Sequence, residues 1–393
     1  MKKLAIIRGW GLNKYEMQTY EFLMSRYEVC AFGSRRLDSS AADVRIPACR
    51  LVSSNDLMRF LPGKLRFAGS LALEKLGGVT EGLFGLSKKL KGYDIVHTAE
   101  SLYYYSYQAA KAKERLGFKL VSTQSENVPF GVESTGTLRR RKYRTLKAVD
   151  HFVAISQRAK ECLMLEGVEP SRISVLGHGI DTQRFKPRPK DPAVLRALGA
   201  TERDIIITYV GRMVRVKGVL FLLLAFKRLM SDPGFRTPGS SVKLALFGAG
   251  PQLDQLRPLA ERLDLQRHVC FCDFYPYNQI ENVYNTSDIF VLPSIPVSFP
   301  SHLQEQFGMV LVESMASECA VVAAQSGAIS EVVGDAGLLC QPADFLDLSE
   351  KLRRLCLDPG LRQELGRRAR ERVSRQYDAR SIAQRLADIY EQL

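Results

Sequence analysis

The chain has 393 residues, a formal charge of +14 and an apolar share of 46%. That length predicts two domains and that apolar share a globular protein, while no run reaches the roughly 18 apolar residues that cross a bilayer. The positive charge favours anionic partners, yet no zinc finger, KH loop, RNP motif or isolated basic tail is present, so nucleic acid is not an expected partner.

The opening, Met1-Lys-Lys-Leu-Ala-Ile-Ile-Arg8, has too short an apolar core for a signal peptide and reads as a first strand, which places the chain in the cytoplasm. Further unbroken apolar runs follow at Val29–Ala31, Ile95–His97, Leu120–Ser122, Phe152–Ala154 and Ile173–Val175. A second series runs through Ile205–Val210, Leu244–Phe247, Val269–Phe271, Ile289–Leu292, Ala320–Ala323 and Leu338–Leu339. Continuous rather than alternating apolar runs predict strands buried on both faces, as in parallel sheets. Their alternation with helical patterns predicts right-handed βαβ units and an α/β class. Between the two series lies Lys186-Pro-Arg-Pro-Lys-Asp-Pro192, whose prolines remove donors and hold φ, so it reads as connecting chain. The eight cysteines contain no Cys-x-x-Cys pair and are expected to be reduced and without zinc.

Polar motifs stand at the ends of several strands. Arg8-Gly9-Trp10-Gly11-Leu12 follows the first; its glycines permit positive φ or a close approach to phosphate, and a tight strand–helix turn is the plainer alternative. No third glycine completes a dinucleotide fingerprint, which argues against NAD. His97 ends a later strand, where it is either a cleft contact or a satisfied packing histidine. Leu57–Phe67, Leu83–Lys91 and Arg139–Arg144 mix cations with apolar residues; they read either as docked helices or as surfaces for anionic lipid.

Beyond the junction, Gly211-Arg212-Met-Val-Arg215-Val-Lys217-Gly218 follows a strand and opens a helix, at the sheet edge where α/β proteins hold ligands. Arg212 and Lys217 can both reach a diphosphate there. Gly248-Ala-Gly250-Pro251 reads as a structural turn. Phe271-Cys-Asp-Phe274-Tyr-Pro-Tyr277 leads into Asn285–Ser294. Then Glu305 and Glu313 stand eight positions apart around Phe307-Gly308-Met309-Val310. On one helix they would lie about 12 Å apart, more than the roughly 5–9.5 Å of a hydrolase acid–base pair. They suit two handles on one long ligand, with helix-opening amides for an anion between them.

These segments resemble the retaining glycosyltransferases of family four, tightly from about Ile205 to Leu339 and more loosely before. The resemblance implies a GT-B fold: two doubly wound Rossmann-like domains facing each other across a cleft. Residues 1–185 would bind the acceptor, 186–203 link, 204–377 bind a nucleotide-sugar, and 378–393 form a helix crossing back. It implies a hexosyltransferase-type enzyme of class EC 2.4 in polysaccharide biosynthesis. Such an enzyme moves sugar from a nucleotide-sugar to a glycan or lipid-linked hydroxyl, with no cofactor beyond that co-substrate and no metal.

Carried over by position, Arg212, Lys217, Glu305 and His97 would be catalytic. Gly9, Gly11, Phe307, Gly308, Met309, Val310 and Glu313 would bind the donor. The family's second histidine is missing where this chain reads Thr123-Gln-Ser125-Glu126-Asn127, leaving Glu126 and Asn127 as polar substitutes. His178-Gly179 replaces Asn-Gly and reads as a turn. Lipid-linked acceptors motivate a peripheral site on an anionic membrane face. A nucleotide-sugar epimerase or phosphorylase on the same fold, or a non-catalytic nucleotide-sugar-binding module, remain the alternatives.

Overall fold

In strand β1 (Lys3–Gly9), Leu4 and Ile6 enter one buried cluster and Ala5 and Ile7 another. A strand buried on both faces belongs to a sheet with helices on both sides. The computed structural model describes residues 1–35, 42–54, 56, 81–131, 133, 135–237, 239–273, 275–298 and 303–393. The chain divides into two units, Met1–Gly179 with Ala379–Leu393, and Ile180–Asp378.

The first unit adds β2 (Glu28–Ser34), β3 (Ala48–Leu51), β4 (Ile95–Ala99), β5 (Lys119–Gln124), β6 (His151–Ala154) and β7 (Ile173–Val175). All pair in parallel, in the order β3-β2-β1-β4-β5-β6-β7. Strand β3 was not expected. Its Ala-Cys-Arg-Leu sits at the sheet edge and alternates between exposed and half-buried, so it offers no unbroken apolar run. The helix Ala379–Glu391 lays Ile382, Leu386 and Tyr390 onto the face that carries Leu4 and Ile6.

The second unit holds β8 (Ile205–Val210), β9 (Val242–Phe247), β10 (Val269–Cys272), β11 (Ile289–Leu292), β12 (Ala320–Ala324) and β13 (Leu338–Cys340). Their order is β10-β9-β8-β11-β12-β13, again all parallel. Both sheets are therefore doubly wound, and strand order reverses at β1/β4 in the first and at β8/β11 in the second. Open parallel sheets bind ligands in the crevice at that reversal, outside the carboxyl ends of the strands.

The expected connecting stretch, 186–203, is held within the second unit. It contains a helix, Pro192–Ala197, capped by Asp191. The Arg188 amide donates to Asn285 Oδ1 at 2.8 Å, and Lys190 pairs with Asp288 at 2.7 Å. Among the described residues, no helix is long and apolar enough to cross a membrane.

Candidate functional site

Strand β8 delivers Gly211 and Arg212 to the reversal point of the second sheet. The loop behind them is pinned by the glycine turn that follows β9. The Gly211 amide donates to Phe247 O at 3.0 Å and the Met213 amide to Ala249 O at 2.8 Å. Arg212 itself is exposed, and its carbonyl accepts from the Tyr209 hydroxyl at 2.8 Å. A single turn, Arg215–Lys217, then leads into Gly218, which caps the helix Val219–Met230. Gly218 has φ +66°, and a β-carbon there would lie 1.9 Å from Pro293 O. Only glycine lets this loop press against the end of β11, where the Ile295 amide donates to Val216 O at 2.8 Å.

That contact sets Lys217 beside Glu305. Their Nζ and Oε2 atoms are 2.6 Å apart, and Ser294 Oγ donates to the same oxygen at 2.7 Å. The two side chains are only 18% and 10% exposed, so the pair is poorly screened. The backbone of Glu305 is fixed in turn, its carbonyl accepting from the Ala328 amide at 3.0 Å.

Next, Phe307 packs edge-on against Tyr377 with ring centroids 5.4 Å apart. Gly308, at φ +83°, opens the helix Met309–Ala316. Met309 and Val310 stand half-buried in its first turn, where amides lack intrahelical acceptors and the dipole favours anions. Glu313 lies deeper in that helix and is 3% exposed. The Tyr277 hydroxyl donates to its Oε1 at 3.0 Å and the Tyr284 hydroxyl to its Oε2 at 2.6 Å. Burial pushes the Glu313 carboxyl up to about 7, against the two tyrosine hydrogen bonds. Arg184 stacks over Tyr277, 4.6 Å from its ring centre, and pairs with Glu281 at 2.9 Å.

In the first unit, the Gly11 amide closes a turn onto Arg8 O at 2.9 Å. Carboxylates flank that turn. The Trp10 amide donates to Glu81 Oε2 at 3.3 Å, and a β-carbon on Gly11 would lie 3.5 Å from Glu16 Oε2.

His97 stands in β4, inside the first unit. It is 0% exposed, with Nε2 hydrogen-bonded to Thr123 Oγ1 at 2.7 Å and Nδ1 to the Tyr390 hydroxyl. Burial, aided by Arg8, holds its pKa well below the usual histidine range, so the imidazole is neutral, with both ring nitrogens hydrogen-bonded. Tyr390 comes from the last helix, so nothing local to His97 announced this partner.

Glu126 is taken up as well. Lys142, buried within the expected basic run, pairs with Glu126 at 3.0 Å and Glu166 at 2.6 Å. Around it Arg139 meets Glu133 and Arg144 meets Glu114. Leu57–Phe67 and Phe274 lie outside the described residues. Among the described residues, no group of three or more His, Cys, Asp or Glu is gathered as for a metal.

The family model described as "Glycosyl transferases group 1" matches residues 192–372, and that for "Glycosyltransferase Family 4" matches residues 25–184. A D-inositol 3-phosphate glycosyltransferase from Saccharomonospora viridis is 30% identical over 317 residues, covering 76% of this chain and 70% of that protein. The chain belongs to glycosyltransferase family 4. A Corynebacterium kroppenstedtii protein of the same name is 32% identical over 254 residues, covering 62% of this chain but only 53% of its own length. The Anabaena protein HepE, solved in complex with UDP-glucose, superposes with a TM-score of 0.77 over 100% of both chains at 18% identity. It shares the GT-B architecture.

Within the family frame, the second unit brings Lys217, Glu305, Phe307, Gly308, Met309, Val310 and Glu313 to one sheet edge. Sequence reasoning gave no role to Ser294, Tyr284 or Arg184. Tyr284 sits in the helix Ile280–Thr286 with the spacing of a core residue, and only its hydroxyl on Glu313 marks it as part of the site.

Proposed function

We propose that this protein transfers a sugar from a nucleotide-sugar donor to a hydroxyl of a glycan or lipid-linked acceptor, with retention at the anomeric carbon and without a metal ion. The observation that carries this reading is the Lys217–Glu305 pair at the β8/β11 reversal, beside exposed Arg212 and the amides that open the Met309–Ala316 helix.

In this reading the diphosphate lies between Arg212, Lys217 and the amides of Gly308, Met309 and Val310. Glu305 takes the sugar hydroxyls and Glu313 the ribose. As the sugar–phosphate bond breaks, negative charge grows on the leaving oxygen. Fixed cations and amides aimed at that charge lower the barrier more than mobile water does, because they need no reorganisation. Side-chain cations then fill the place of a divalent ion. The first unit holds the acceptor, whose own hydroxyl attacks, and Gly9 and Gly11 are donor-binding. The UDP-glucose bound by HepE makes a UDP-sugar the first donor to test. The name carried by the inositol relatives points to a phosphorylated polyol acceptor; the surroundings of Glu100, described below, argue for an uncharged one.

A cytoplasmic enzyme of polysaccharide biosynthesis, peripheral to an anionic membrane, completes the proposal. Exposed Lys88, Lys89 and Arg140 are the cations that would meet lipid. Flotation with and without anionic lipid tests that part.

The main test is a thermal-shift screen of UDP-, GDP- and ADP-sugars, followed by donor hydrolysis and product stereochemistry with and without EDTA. Stabilisation by one nucleotide class and EDTA-resistant turnover with an unchanged anomer support the proposal. A product epimerised without acceptor, or tight nucleotide binding with no turnover, rejects it.

A further inference from the structure

The first sheet has its own reversal point, between β1 and β4, and the chain leaves both strands there through polar turns. After β1 comes Gly9-Trp10-Gly11. After β4 come Glu100 and Ser101, which are 9% and 2% exposed.

Glu100 is held firmly but only on one side. Its amide donates to Thr123 O at 2.8 Å, and its Oε1 accepts from the Ser125 amide at 2.8 Å and from the Ser125 hydroxyl. Its Oε2 is sealed from solvent with no hydrogen-bond partner, and so is the hydroxyl of Ser101. Buried polar atoms are nearly always satisfied, so two orphans on consecutive residues at a ligand-binding edge mark a missing partner. Glu100 also adopts φ +49°, a backbone region that non-glycine residues occupy rarely and mostly at functional positions. Burial pushes its carboxyl up to about 7, so near neutral pH it both accepts and donates hydrogen bonds.

The charges nearby decide what the partner is. Among the described residues, the charges bearing most on the Tyr103 hydroxyl are the carboxylates of Glu100, Glu16 and Glu81, against the cation Arg8. Arg8 is already engaged, donating to Ile7 O at 3.0 Å and to the Tyr20 hydroxyl. Glu81 takes the Trp10 amide. Among the described residues, a phosphate brought here would face the carboxylates of Glu16 and Glu81 and a partly ionised Glu100, with Arg8 already occupied. A hydroxyl brings a donor for Glu100 Oε2 and an acceptor for Ser101 at no cost in charge.

We propose that the crevice at the ends of β1 and β4 binds the acceptor through Glu100 and Ser101, and that this acceptor presents an uncharged polyhydroxyl group rather than a phosphate. The inference rests on the transferase reading and names its acceptor class.

The test is calorimetry on the full chain loaded with UDP, using myo-inositol, glucose and maltose beside their monophosphates. The neutral member of each pair is expected to bind about tenfold tighter or better. Ser101→Ala weakens the neutral probes. Glu100→Gln removes one negative charge and narrows the gap to the phosphates. UDP affinity and the melting temperature both stay unchanged in the two variants, so a loss of probe binding is not a loss of fold. Tighter binding of the phosphates, no binding of any neutral probe, or probe affinities untouched by both substitutions would overturn the proposal. Failure of UDP-, GDP- and ADP-sugars alike to bind while a neutral probe binds rejects the nucleotide-sugar reading and leaves the polyol site standing.

Discussion

Lys217 Nζ lies 2.6 Å from Glu305 Oε2, although 88 residues separate them in the chain. In the proposed donor complex the pair holds Lys217 in place for the diphosphate and Glu305 for the sugar. Lys217→Met should lower donor hydrolysis by roughly 10²-fold, the scale of losing one preorganised charge stabiliser. Glu305→Gln should lower it too, and the double variant should lose less than the sum of the two, because each single change strands the other group. Exposed Arg212 separates catalysis from folding. Arg212→Ala should cut turnover while moving stability by no more than about 0.5 kcal/mol. Steady-state rates beside melting curves check all four variants, and additive losses would count against a shared site.

Glu313 gives a pH signature. Its folded pKa, about 7, lies above the ordinary value of 4.5. A carboxyl raised in this way contributes stability that is fully present below about 4.5 and is lost as pH rises through about 7. Glu313→Gln should therefore flatten the fall in melting temperature across that window and raise the donor KM. An unchanged pH slope in the variant would show that the carboxyl titrates normally.

His97 acts in the opposite direction. Its folded pKa lies well below the usual 6.5, so its contribution is present above 6.5 and is lost as pH falls below it, when the unfolded chain takes up the proton first. His97→Phe should destabilise the protein by about 1–3 kcal/mol through the unpaired Thr123 and Tyr390 hydroxyls. The kcat of the folded fraction should stay near wild type. A loss of kcat without a loss of stability would support a catalytic role instead.

Gly218→Ala places a methyl group where Pro293 O already stands, on a backbone at φ +66°. The conformation alone costs about 1–3 kcal/mol. The loop must shift to relieve the clash, so the Lys217–Glu305 pair should loosen and turnover should fall along with the melting temperature. Gly239→Ala has open space and positive φ, so it carries the conformational cost without the clash. Comparing the two melting temperatures isolates the contact with β11.

The two sheets were readable from residues alone. Ile205–Val210 and Ile289–Leu292 are buried along nearly their whole length, and a strand covered on both faces leaves an unbroken apolar run in the sequence. Ala48–Leu51 left none, because an edge strand needs no second apolar face. At the candidate site, glycines beside cations and a helix-opening glycine between two glutamates were visible, since turn geometry and anion binding demand particular residue types at short range.

Pairings were not visible. That Lys217 meets Glu305, that Tyr284 and Tyr277 cap Glu313, that Tyr390 occupies His97 and that Glu100 keeps a bare oxygen all depend on which distant segments share a sheet edge. Strand order settles those neighbours. It arises from the summed packing of the whole core, so no local stretch of sequence encodes it.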